Sequence, residues 1–166
     1  SAEVLPFCHL PPNIAVLPIL PHGNGYWVIR RETAHRLRYP YLAEWLKRAE
    51  EIWNKIRGEK ERVDLYEWLN YQNKLAQQNP HAKYKVVYLR SGTYLAASVA
   101  VNIPLKLEGF ELRGIIIDST LYWFETDDEN EAFYLAAILN SRLLDELIKP
   151  MQSKGQFGER DIHKKP

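Results

Sequence analysis

Thr126-Asp-Asp-Glu-Asn-Glu-Ala-Phe-Tyr-Leu-Ala-Ala-Ile-Leu-Asn-Ser-Arg-Leu-Leu-Asp-Glu-Leu-Ile-Lys-Pro150 reads as two short helices joined at Asn140-Ser141. Thr126 and Glu129 have the spacing of a capping box, in which the hydroxyl accepts from the Glu129 amide and the carboxylate reaches back. Ala132, Leu135, Ala136 and Leu139 recur at helical spacing and predict a core face. Ser141 is placed to cap the second helix, whose apolar residues are Leu143, Leu144, Leu147 and Ile148. Pro150 discourages a further turn. Beyond it runs Lys154-Gly-Gln-Phe-Gly-Glu-Arg-Asp-Ile-His-Lys-Lys-Pro166, a basic tail broken by two glycines that a helix pair does not need for stability.

Moving upstream, the apolar pattern changes to strands. Residues 84–90 and 93–101 flank Ser91-Gly92, which reads as a tight hairpin turn. Residues 105–112 turn at Glu108-Gly109, and residues 115–118 and 121–125 flank Ser119-Thr120 as a further hairpin. Before these, Asp64 and Glu67 form a second capping-box pair that opens a short helix with Leu65, Trp68 and Leu69 inward. Pro40 suits the first turn of a long helix. Its predicted core face is Leu42, Trp45, Leu46, Ala49, Ile52, Trp53 and Ile56, with Glu44–Arg48 and Glu51–Lys55 pairs on the polar side and Gly58 as a stop. Residues 21–25 read as a loop and residues 26–31 as a strand. The apolar start, punctuated by Pro6, Pro11, Pro12 and Pro18, suits edge strands or an extended arm.

This pattern predicts an α+β fold: a mainly antiparallel sheet, a long N-terminal amphipathic helix and a C-terminal helix pair. One domain is expected over residues 1–166, with the arm, strand and long helix in 1–62 and the sheet, helix pair and tail in 63–166.

With 166 residues and 46% hydrophobic content the chain can bury a real core. A net charge of +1 announces no polyanion partner, so a nucleic-acid site must be a local patch. A single cysteine, Cys8, excludes an internal disulfide framework and a cysteine-rich zinc site, and its apolar surroundings predict burial. No apolar run has spanning length and no signal-peptide pattern opens the chain, which predicts a cytoplasmic protein without membrane contact. The start at Ser1-Ala2 and the stop within the tail suggest a domain excised from a longer protein.

The string Glu131-Ala-Phe-Tyr-Leu-Ala-Ala-Ile-Leu-Asn-Ser resembles a helix of target recognition (specificity) domains. Those domains belong to N6-adenine DNA methyltransferases and fused, type IIG-like restriction-modification enzymes, including the TaqI-like C-terminal specificity domain. The tail Gly155-Gln-Phe-Gly-Glu-Arg-Asp-Ile-His-Lys-Lys-Pro, together with Leu69-Asn-Tyr-Gln-Asn-Lys-Leu and Arg90-Ser-Gly-Thr-Tyr-Leu-Ala-Ala, is similar to the branch of large single-chain enzymes. The resemblance covers residues 64–166. It implies a domain that reads duplex DNA for a separate catalytic methyltransferase domain of the parent chain, which would use S-adenosylmethionine.

The chain's own chemistry is consistent with a non-catalytic role. It has no Gly-rich cofactor loop after a strand and no Asn/Asp-Pro-Pro-Tyr/Phe motif. Asn79-Pro80-His81 has the wrong sequel, and His22-Gly-Asn-Gly-Tyr has only two glycines. No cofactor is therefore expected in this chain. Asp118, Glu125, Asp127, Asp128, Glu129 and Glu131 concentrate acids, but no lysine stands two positions beyond Glu125, and acids at a helix start complement its dipole. His9, His22, His35, His81 and His163 are scattered, so neither a metal site nor a catalytic triad is expected. Trp45, Trp53 and Trp68 fall on predicted core faces, whereas Trp123 can face either way on its strand.

Three polar segments remain as candidate DNA contacts. Tyr71, Gln72, Asn73 and Lys74, with Gln77, Gln78 and Asn79 behind them, offer amides able to pair with adenine and a lysine for guanine or phosphate. Arg90, Ser91 and Thr93 at a hairpin tip can contact phosphate. Lys154, Gln156, Arg160, His163 and Lys164 lie in the tail. The plain alternatives are a solvated loop, a turn and a free chain end. If all three segments serve one site, Tyr71–Lys74, Arg90 and Arg160 should share a face. The competing class is a protein-interaction or scaffold module using the Trp-rich helix and the C-terminal helices. A large exposed apolar stripe would favour it, and a basic face would favour DNA.

Overall fold

The computed structural model describes residues 4–11, 13–58, 62–155 and 158–161. They form an α+β protein of small antiparallel sheets and, among the described residues, five α-helices. The chain divides into two compact units: the described residues of Ser1–Asn13 and His81–Pro166, and Ile14–Pro80. The division anticipated between residues 62 and 63 falls inside the second unit.

The first strands are a two-residue pair, β1 (Val4–Leu5) and β2 (Cys8–His9), with Phe7 in the left-handed region at the turn. Cys8 is exposed, not buried as its apolar surroundings predict, because a two-stranded edge hairpin covers only one of its faces.

In the unit Ile14–Pro80, β3 (Ile19–His22) pairs with β4 (Gly25–Val28), so Pro21 and His22 are strand, not loop. A two-stranded sheet tolerates proline because both strands are edges. Arg31, expected in a strand, instead opens α1 (Arg31–Arg36). The long helix α2 (Pro40–Ile56) begins at its proline as predicted. The capping box at α3 (Leu65–Leu69) is present: Asp64 Oδ1 accepts from the Glu67 amide at 2.7 Å, and Glu67 Oε2 accepts from the Asp64 amide at 2.9 Å. The core consists of Ile29, Ala34, Ala43, Leu46, Leu65 and Tyr66.

The predicted face of α2 is corrected. Ala43 and Leu46 point inward, with Leu42, Ala49 and Trp53 half-buried, whereas Trp45, Ile52 and Ile56 are 46%, 58% and 70% exposed. The apolar arc is wider than the contact α2 makes: Leu46 lies at the centre of the buried part, the small Ala43 at one edge, and Trp45, Ile52 and Ile56 fall beyond the other. Trp68 is also exposed, stacked at 4.9 Å on Trp53, whose indole donates to the Val63 carbonyl.

In the other unit, β5 (Tyr84–Leu89) is the centre of a three-stranded sheet. It lies between β6 (Ala97–Val101) and β9 (Leu121–Thr126), antiparallel to both. A separate hairpin, β7 (Leu105–Leu107) and β8 (Phe110–Leu112), turns at Glu108-Gly109 as predicted. Residues 115–118 do not pair with β9. Ile115 and Ile117 instead cover one sheet face, packing with Val87, Ala100, Leu121 and Trp123. Asn102 fixes this segment by donating to the Ala82 carbonyl and accepting from the Ile115 amide at 2.7 Å. Gly114 is required there: its φ is +141°, and a Cβ would stand 2.7 Å from Asn102 Oδ1.

The opposite sheet face carries α4 (Glu129–Leu139), where fully buried Ala132 and Ala136 meet Val86. Its cap is Asp128, which accepts from Asn130 and Glu131 amides, and not the predicted Thr126–Glu129 box. A carboxylate nearer the helix end satisfies the same donors and complements the dipole. Ser141 caps α5 (Arg142–Ile148) as predicted. Leu143 and Leu147 are exposed, however, and the buried residue of α5 is Asp145. The glycine-broken tail contains an antiparallel pair, β10 (Ser153–Gly155) and β11 (Gly158–Asp161). Among the described residues no helix is long and apolar enough to cross a membrane.

Candidate functional site

The amide-rich segment after α3 owes its shape to Asn70. Its Oδ1 accepts from the Ala76 amide at 2.9 Å and its Nδ2 donates to Asn73 Oδ1 at 3.0 Å, while the Ala76 carbonyl accepts from the Tyr26 amide of β4. This clamp forces Gln72 and Asn73 into consecutive left-handed conformations, φ 53° and 61°. Asn tolerates that region, but Gln pays a steric cost of about 1 kcal/mol. Tyr71, Gln72 and Asn73 are exposed and Lys74 is half-buried. Gln78, grouped with them by composition, is fully buried and donates to the Lys74 carbonyl, so it supports the loop from beneath.

Beside this loop is an open groove of about 470 Å³, bordered by Val28, Arg30, Tyr66, Glu67, Tyr71 and Gln72. Its lining cation is matched: Arg30 pairs with Asp64 at 2.8 Å and lies 4.8 Å over the Tyr66 ring. Burial pushes the Asp64 carboxyl up, but the Glu67 amide and Arg30 outweigh it, leaving the group below its ordinary value. Burial raises the Tyr66 hydroxyl well above the usual phenol range, and the bond it donates to Glu50 holds the proton further. The groove therefore offers amides, a hydroxyl and aromatic surface, without excess positive charge.

The second candidate segment belongs to the other unit. The connection from β5 to β6 spans residues 90–96, longer than the predicted two-residue turn. Arg90 makes a long 3.5 Å contact to the Ser119 carbonyl and lies 5.9 Å over Tyr122, whose ring is 5.4 Å from Tyr88. Ser91 and Thr93 are exposed. The far end of the connection is held by α4 and α5. Asp145 accepts from the Leu95 amide at 2.9 Å, and Asn140 accepts from the Ala97 amide while donating to the Ala97 carbonyl. Asn140 thereby mimics a strand neighbour on β6. Its role in the Asn140-Ser141 junction was missed because its partner is 43 residues away.

Lys154 lies in β10 and Arg160 in β11, while Gln156, His163 and Lys164 lie outside the described residues. Tyr71, Gln72, Asn73 and Lys74 belong to one compact unit, and Arg90, Ser91, Thr93, Lys154 and Arg160 to the other.

Four of the acids concentrated between Asp118 and Glu131 have structural partners. Asp118 accepts from the Thr120 amide, Asp127 from the Lys83 amide, Asp128 caps α4, and Glu125 pairs with Lys85 at 3.2 Å. Among the described residues no group of three or more His, Cys, Asp or Glu side chains could hold a metal ion.

Asp145 carries a pH prediction. Burial pushes its carboxyl up, but the Leu95 amide and Lys149, 2.9 Å away, bring it below its ordinary value. A depressed folded-state value stabilises the fold above the ordinary carboxylate range and loses that contribution as pH falls through it. Asp145→Asn should therefore lower stability near neutrality and flatten the acid limb of a urea-midpoint-versus-pH curve. An unchanged limb would remove Asp145 from the acid response.

Comparison with known proteins finds no match: no family model, curated protein or solved structure is significantly similar to the chain.

Proposed function

We propose that the chain is a DNA sequence-recognition domain of a cytoplasmic adenine-specific methyltransferase or restriction-modification protein. It presents duplex DNA to a separate catalytic domain and has no activity of its own. The observation that carries the reading is the exposed Tyr71-Gln72-Asn73 edge, held by Asn70 in a conformation unfavourable for Gln72. The Asn70 clamp imposes this strain while leaving the Gln72 amide exposed, which suits a group aimed at a ligand, and paired amides suit adenine. Arg90 and the basic tail supply phosphate contacts in this reading.

Fluorescence anisotropy with a cognate and a scrambled duplex at several salt concentrations tests it, with the parent enzyme identifying the cognate. Gln72→Gly should keep or slightly raise stability while costing about 1–3 kcal/mol on the cognate only. Arg160→Ala or Lys164→Ala should weaken both duplexes alike and reduce the salt slope by about one unit each. Unchanged binding of the parent in all three variants would refute the reading.

A second reading, a protein-interaction module, is favoured by the exposed apolar side chains of α2 and by Leu143, Leu147 and Met151 near the C-terminal helices.

A further inference from the structure

The exposed side of α2 is ordered more tightly than scattered surface residues require. Tyr41, Trp45, Ile52 and Ile56 are 91%, 46%, 58% and 70% exposed. At 100° per residue they fall within an arc of about 60°, forming one apolar stripe along a helix some 25 Å long. The order of the stripe is palindromic. Tyr41 and Ile56 are equally far from the point between Arg48 and Ala49, and so are Trp45 and Ile52. A sequence with that symmetry matches itself when a second helix runs antiparallel across it.

We propose that this stripe is a two-fold interface at which α2 packs antiparallel on α2 of a second copy of the chain. The inference rests on the interaction-module reading and names its occupant. In that register Trp45 lies against the partner's Ile52, and Tyr41 against the partner's Ile56.

Charge complementarity supports the same register. Glu44, Arg48, Glu51 and Lys55 line one flank of the stripe, while its other flank turns into the core through Leu42 and Ala49. A two-fold axis brings like flanks together. Glu44 then faces the partner's Lys55, and Arg48 faces the partner's Glu51. In a parallel two-fold pair the charged flank would instead face the partner's other flank, where Leu42 and Ala49 offer no counter-charge. Within one chain, Arg48 reaches Glu44 at 3.4 Å in an exposed pair that holds it only weakly. Eight apolar side chains make a small interface, so dissociation on the order of 10 µM is expected.

Sedimentation velocity of the chain over a concentration series bracketing the micromolar range should show a monomer–dimer equilibrium. Trp45→Glu, with unchanged circular dichroism, should abolish it. Lys55→Glu and Glu44→Lys should each weaken self-association about tenfold or more, and an equimolar mixture should recover a heterodimer. In a Cys8→Ser background, Arg48→Cys near the axis should cross-link to itself. Tyr41→Cys should cross-link only when mixed with Ile56→Cys.

A monomeric mass throughout overturns the proposal, as does self-cross-linking of Tyr41→Cys. Hydroxyl-radical footprinting of dilute chain separates the two failures. Ready oxidation of Tyr41 and Trp45 with a persistent monomer refutes the dimer alone. Protection of both residues at every dilution refutes the interaction-module reading with it.

Discussion

Asn140→Asp should lower the unfolding free energy by about 3 kcal/mol near neutral pH, whereas Asn140→Ala should cost about 1–2 kcal/mol. In the native protein the Asn140 amide nitrogen donates to the Ala97 and Ala136 carbonyls, each at 2.8 Å, while its oxygen accepts from the Ala97 amide at 2.9 Å. Alanine removes all three bonds. The Ala97 carbonyl retains the bond from the Phe7 amide at 2.9 Å, which limits the loss. Aspartate keeps the acceptor but puts a charged oxygen where two carbonyl oxygens converge, so repulsion adds to the lost bonds. Protonation gives that carboxyl one donor, so the Asp variant should recover part of its deficit on acidification and the Ala variant should not. Urea unfolding of both variants at neutral and acidic pH is the measurement. Equal deficits at both pH values would show that Asn140 acts through shape alone.

Features set by neighbours in sequence were legible, and features set by distant partners were not. The Asp64–Glu67 capping box, the Glu108-Gly109 turn, the Ser141 cap and the start of α2 at Pro40 each depend on a few adjacent residues. The inward face of α2 was misjudged because its apolar arc runs from Ala43 round to Ile52, and only tertiary contact selects which part is buried. Residues 115–118 have strand composition, but Asn102, a distant partner, holds the Ile115 amide and Ile115 and Ile117 pack across the sheet face, so among the described residues the outer edge of β9 stays open. In the candidate site, Gln78 is indistinguishable by composition from Gln72. One is fully buried and the other exposed because Leu75 and Gln78 turn inward while Asn70 ties the loop outward. The left-handed conformation of Asn73 suits its residue type, but that of Gln72 has no local signal.

The second large effect is expected at Glu125, a residue that reads from sequence as one of an acidic cluster. Lys85 is 0% exposed on the central strand, and its register partner on β9 is Glu125, with Nζ and Oε1 3.2 Å apart. Burial lowers the Lys85 ammonium from its ordinary value, and the Glu125 carboxylate opposes that shift. Glu125→Gln keeps the volume but takes the charge away from a buried cation, so it should destabilise the fold by about 3 kcal/mol. Lys85→Met removes the desolvation cost together with the pair, and leaves a carboxylate that still touches water, so its cost should be within about 1 kcal/mol. The variants should also respond to pH in opposite ways. With Lys85 depressed further in Glu125→Gln, the unfolded chain binds more protons than the folded one between the depressed value and the ordinary lysine value. Stability of that variant should therefore rise with pH across the alkaline range more steeply than in the parent chain. Lys85→Met should lose the alkaline rise altogether. Urea midpoints from neutral to alkaline pH measure all three chains. If Lys85→Met proves the more damaging of the two, then the ammonium itself holds the sheet together, and its attraction to Glu125 outweighs the cost of burying it.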